Sequence, residues 1–139
     1  MDDQNLPKAH PAFSRHFSAP IYEDPAGEFA PFGTDEGWDM LYVVAQECDR
    51  LPANATVEDV LALAGFPEAG GWDETPSGEE WYEDATLVAA SAFTLLRLTG
   101  HIDDAGRQQA VEALGILIDF FGDQPELRQQ RTDLVNWTG

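Results

Sequence analysis

A chain of 139 residues is the length of one domain, and 43% apolar residues suffice for a core, which excludes an acidic disordered tail. With 26 acids against 7 bases the net charge is −19, which repels nucleic acid and anionic membranes and attracts cations and basic proteins. The single cysteine, Cys48, excludes an internal disulfide. The charge is uneven: residues 23–84 hold 17 acids and one base, for −16, and the rest of the chain only −3. Adaptation to high salt would acidify the whole surface, so the concentration fits a local electrostatic purpose better. The start, "MDDQNLPKAHPAF", has acids where a secretory signal needs bases, and no run approaches 18 apolar residues. The expectation is a cytoplasmic protein that neither spans a membrane nor binds nucleic acid.

Residues 1–33 carry five of the nine prolines and read as an irregular arm, with room for a short strand, pinned to the body by Phe13, Phe17, Ile21, Tyr22, Phe29 and Phe32. A first helix begins at Thr34 or Asp35, either of which can cap it, presents Trp38, Leu41, Tyr42 and Ala45, and runs to Arg50–Pro52. A second starts at Thr56, with Asp59 completing a capping box, and stops at Gly65 and Pro67. Residues 66–79, "FPEAGGWDETPSGE", form a loop long enough to be functional. A third helix, from Glu80 to Thr99, is apolar nearly all round between Leu87 and Leu98 and belongs at the centre. A fourth begins after Asp103 or Asp104 and closes at Gly122, and a fifth starts at Pro125. The expected fold is all-α: one acidic domain, 1–139, with an arm over 1–33 and a bundle of about five helices over 34–139.

The stretch "APFGTDEGWDML" raises the functional question. Asp35 and Asp39 share a helix face, as do Glu80 and Asp84, so paired carboxylates from two helices could form a metal-dependent enzyme. Such sites add histidine from a Glu-x-x-His motif, which is missing, as are a calcium loop, a phosphate-binding loop and a nucleophile elbow. His10, His16 and His101 lie beside no nucleophile, and Cys48 reads as a small buried residue. No cofactor or metal is expected. Acids at helix starts are also favoured by the helix dipole, by about 0.3–1 kcal/mol each. Trp38 and Tyr82 fit core positions at helical spacing. Trp72, in a Gly/Pro-rich loop beside Asp73 and Glu74, reads as an exposed anchor ringed by acids.

The stretch "HPAF…API…E…PFGTDEGWD" resembles the YfeS-like family of uncharacterised small bacterial proteins, whose His-Pro and Pro-Phe-Gly-Ser/Thr-Asp-Asp/Glu-Gly-x-Asp signature falls on His10, Pro11, Pro31–Gly37 and Asp39. The segment "DATLVAASAFTLLRLTGHID" is similar to that family's Ala-rich helix. The resemblance covers about half the chain and implies a mainly helical bacterial domain without implying a catalytic residue. It also agrees with a structural role for the motif: Gly33 and Gly37 for a tight turn into the helix, Asp35 as a cap, and Asp39 paired with Lys8 or Arg15 of the arm.

Two functions remain. The favoured one is a non-enzymatic inhibitor, of the immunity or antitoxin kind, that blocks the active site of a basic toxin such as a nuclease. Its partner-binding residues are Glu36, Trp72, Asp73, Glu74, Glu79, Glu80 and Glu83. The alternative is a small metal-dependent carboxylate enzyme built on Asp35, Asp39, Glu80 and Asp84.

Overall fold

The apolar run in the middle of the sequence organises everything else. A computed structural model describes residues 6–72 and 78–137. Among them are six helices and no strand: α1 (Pro11–His16), α2 (Asp35–Gln46), α3 (Val57–Ala64), α4 (Gly78–Thr99), α5 (Asp104–Phe121) and α6 (Pro125–Val135). Every residue of α4 from Val88 to Arg97 is buried. This helix packs against α1, α2, α3 and α5, while α6 lies on α5. The all-α fold and its central helix are as the sequence predicts, and the buried residues form one hydrophobic core.

The helix ends follow local chemistry. Thr34 caps α2, its hydroxyl accepting from the Gly37 amide at 2.9 Å, so Asp35 is not the cap. Thr56 and Asp59 form the expected capping box of α3, which closes at Gly65 with φ 97°. Asp103 caps α5 through the Gly106 amide, and Pro125 opens α6. The first long helix ends earlier than expected, at Gln46, and a 3-10 turn over Cys48–Arg50 follows. Cys48 is exposed rather than buried.

The arm departs most from its expected form. It is not irregular throughout: Pro11 starts α1, capped by His10, whose Nδ1 accepts from the Ala12 amide at 3.0 Å, and Pro20 starts a 3-10 turn. Proline is favoured at a first helical position, where its missing donor would be unpaired anyway. The arm also helps to form the core. Phe13, Phe17, Tyr22 and Phe32 are fully buried, and Ile21 and Phe29 partly so. Phe17 stacks on Trp137 at 5.6 Å and meets Phe93 of α4 edge-on at 5.6 Å.

Polar groups fix the arm's position. Arg97 of α4 is 2% exposed. It pairs in parallel with Glu23, at 2.7 and 3.0 Å, and donates to the carbonyls of Pro7 and Tyr22 at 2.8 and 3.3 Å. Its guanidinium lies 5.2 Å from the centre of the Phe32 ring. Asp39, by contrast, makes no ion pair with Lys8 or Arg15 among the described residues. On α6, Asp133 accepts from the Tyr22 hydroxyl at 2.6 Å through Oδ2 and from His16 Nε2 at 2.7 Å through its carbonyl.

Burial first, then the hydrogen bond to Asp133 and that residue's charge, push the Tyr22 phenol far above its ordinary value. A phenol raised on folding contributes stability that is intact below its unfolded pKa, about 10, and lost as the pH rises beyond it. Between about pH 10 and 12, stability should therefore fall by up to about 1.4 kcal/mol per unit from this residue alone. Urea titrations across that range should show a shallower alkaline loss for Tyr22→Phe. An equal slope in both proteins would mean that Tyr22 is not the group being held neutral.

Candidate functional site

The turn before α2 is built by backbone against backbone. A Cβ on Gly37 would collide with the carbonyl of Pro31, and one on Gly33 with the backbone of Gly27. These two glycines let residues 27–37 fold tightly onto themselves, which is the structural role the motif predicts. Gln130 of α6, itself buried, holds the same segment by donating its amide Nε2 to the Phe29 carbonyl at 2.6 Å.

Between this turn and the bundle lies a cleft of about 520 Å³, within the range of ligand sites. The turn and the first residues of α2 form one side, α4 contributes Tyr82, Glu83, Thr86, Ala89, Ala90 and Phe93, and α5 and α6 supply Leu117, Phe121, Leu127 and Gln130. Much of its lining is apolar or aromatic. Phe29 meets Phe121 edge-on at 5.4 Å, and Tyr82 stacks face to face on Phe120 at 4.0 Å. Phe120 and Phe121 are 40% and 41% exposed. Glu28, Asp35, Glu36 and Glu83 also line the cleft and are exposed. No Lys, Arg or His is among its lining residues, and none of the four carboxylates is in an ion pair among the described residues.

The cleft thus brings together Glu36 and Glu83 of the predicted binding set, with Asp35 beside them. Glu79 and Glu80 are exposed in the first turn of α4, outside its lining. Asp73 and Glu74 lie outside the described residues. Trp72 is half-buried rather than standing exposed: it meets Trp81 edge-on at 6.5 Å and donates from Nε1 to Glu112 of α5 at 3.3 Å. Trp38 and Tyr82 are half-buried rather than core residues. Trp38 lies against Tyr42 at 4.6 Å, and Tyr82 forms a wall of the cleft beside the end of α5, where it stacks on Phe120.

The carboxylates of the alternative enzyme do not assemble. Asp84 accepts from the Gly70 amide at 3.2 Å and so holds the loop before α4, while Asp35 and Asp39 are exposed. Among the described residues no three His, Cys, Asp or Glu side chains are grouped to hold a metal ion, and no helix is long and apolar enough to cross a membrane.

Nothing in the sequence singles out Glu28 as a cleft residue, and Phe29 and Tyr82, which also line it, read there only as packing residues. A signal was available on α4, where positions 82, 86, 89 and 93 follow helical spacing with Glu83 and Ala90 beside them. The other half of the cleft comes from distant segments that only the fold brings together. No family model, characterised protein or solved structure matches the chain.

Proposed function

We propose that this is a non-catalytic acidic inhibitor of the immunity kind, which binds a basic protein and covers its active site. The observation that carries the reading is the cleft with its apolar and aromatic lining and four carboxylates unpaired with any cation, on a chain of net charge −19. Like charges gathered without counter-cations oppose folding, and a positively charged partner relieves that repulsion on binding. Exposed Phe120 and Phe121 supply the aromatic anchors of interface hot spots. A toxin nuclease is the favoured partner class, because a site that binds phosphates is basic, and an acidic surface seated on it competes with nucleic acid. The first turn of α4, with Glu79 and Glu80, extends the negative face.

Capture of the partner from the source cell, inhibition of its activity, and association kinetics at two ionic strengths test this. Exposed charges act mainly on the association rate and are screened over about 10 Å at 0.1 M salt. Glu79→Lys with Glu80→Lys should slow association and flatten its salt dependence while leaving dissociation nearly unchanged. Phe121→Ala, which removes an exposed ring of the cleft, should act on dissociation instead. An acidic partner, or a basic one whose association ignores both salt and the Glu79 and Glu80 changes, would overturn the reading.

A further inference from the structure

We infer that the cleft is an arginine pocket: it takes one arginine side chain of the basic partner, together with an apolar neighbour of that arginine. This rests on the proposed function and assigns the contact within it. Three observations converge.

The first is the inventory of polar groups. The charged lining residues, Glu28, Asp35, Glu36 and Glu83, are all carboxylates. The buried Gln130 uses its Nε2 on the Phe29 carbonyl, which fixes the amide's orientation because a carbonyl can only accept. Its Oε1 is then left as an acceptor, and no donor to it is present among the described residues. The charged groups of the site and this amide oxygen are therefore all acceptors, and they call for a ligand rich in donors and positive charge. Guanidinium has five donors and no acceptor.

The second is the shape of the walls. Phe29, Tyr82 and Phe121 line the cleft together with the carboxylates. A guanidinium is planar, weakly hydrated and able to stack on aromatic rings while pairing with a carboxylate, whereas an ammonium is compact and strongly hydrated. That combination selects arginine over lysine. The same chain already does this internally, where Arg97 pairs with Glu23 and sits over the rings of Phe13 and Phe32.

The third is depth. Ala89, Ala90, Phe93 and Leu117 are buried residues that reach the cleft. Their surface leaves room for the methylene stem of the arginine and for an apolar neighbour, and a free inorganic cation would leave it unfilled.

The test needs no partner. A capped pentapeptide, acetyl-Gly-Phe-Arg-Leu-Gly-amide, is titrated into the isotope-labelled protein and followed by amide chemical shifts. The controls are the same peptide with citrulline, a neutral isostere, and with lysine. Shifts should concentrate on residues 28–36, 82–93 and 117–130. Citrulline should weaken binding at least tenfold and lysine severalfold. Glu36→Gln with Glu83→Gln, both at exposed positions, should weaken the arginine peptide at least tenfold without lowering the melting temperature, whereas Glu79→Gln with Glu80→Gln should have under a twofold effect. Equal binding of the citrulline peptide would show a site for neutral apolar ligands and overturn the inference. Shifts spread over the whole acidic surface, or equal sensitivity to both pairs of substitutions, would overturn it as well. If the peptide misses the cleft while the full protein still inhibits a basic partner, only the pocket assignment falls. If the peptide binds there and no basic protein is inhibited, the proposed function falls and the pocket stands.

Discussion

Leu95→Ala should destabilise the protein by about 2–5 kcal/mol, towards the upper part of that range. Leu95 is fully buried in α4, and α4 is flanked by α1, α2, α3 and α5. The loss contains the transfer free energy of the removed methyl groups and the free energy of the cavity left behind, and the second depends on whether neighbours can move in. Here the neighbours are helices held at both ends by caps, by Gly65 and Gly122, and by the Arg97 and Asp133 contacts, so little collapse is available. Leu98, half-buried at the end of the same helix, is the internal control, and its replacement by alanine should cost less. Urea titration reads both, with the midpoint falling and the slope unchanged if the native state keeps its compactness. A loss below about 1 kcal/mol for Leu95→Ala would mean that α4 does not occupy the centre.

The position of α4 was legible because a helix apolar on every side has only one place to go in a small domain. The caps were legible for a similar reason: Thr56 and Asp59, Asp103 and Pro125 act within four residues of themselves. The arm was harder to read. Its aromatic residues announced burial, and all of them are at least partly buried, but proline was read as a breaker at positions 11 and 20 where it begins a helical turn. The local rule was right, and its sign depended on where the helix starts. The cleft was least legible. Glu36 and Glu83 are 47 residues apart in sequence, and their shared site depends on a turn whose path is set by Gly33 and Gly37 and whose anchor is Gln130, almost a hundred residues further on. No spacing rule carries that information. The four carboxylates that line the cleft do fall within the acidic segment, three of them within residues 28–36 and the fourth at 83. Trp72 shows the converse error. Its loop setting suggested exposure, but a large aromatic side chain beside a helix surface gains more by covering it, and it lies against Trp81 instead.

Arg97→Ala should cost about 3–5 kcal/mol, whereas Glu23→Gln should cost about 1 kcal/mol or less. The two residues form one ion pair, and the asymmetry follows from their surroundings. The Arg97 side chain is 3% exposed and the Glu23 side chain 56%. Removing the carboxylate's charge leaves an amide of the same shape in contact with water, which can still accept from the guanidinium, and Arg97 keeps its bonds to the carbonyls of Pro7 and Tyr22. Removing the guanidinium takes away the donors to both carbonyls at once, together with the stacked group beside Phe13 and Phe32, and opens a cavity between α4 and the arm. Buried acceptors left without donors cost about 1–3 kcal/mol each, so two of them already approach the expected total. Arg97→Lys should recover only part of the loss, because an ammonium cannot reach the carboxylate in parallel and both carbonyls together. Urea titration of the three variants gives the ranking, and amide exchange locates the damage: in Arg97→Ala protection should fall first across residues 7–32. Equal losses for Arg97→Ala and Glu23→Gln would mean that the ion pair itself, and not the ordering of the arm by a buried guanidinium, sets the stability of this contact.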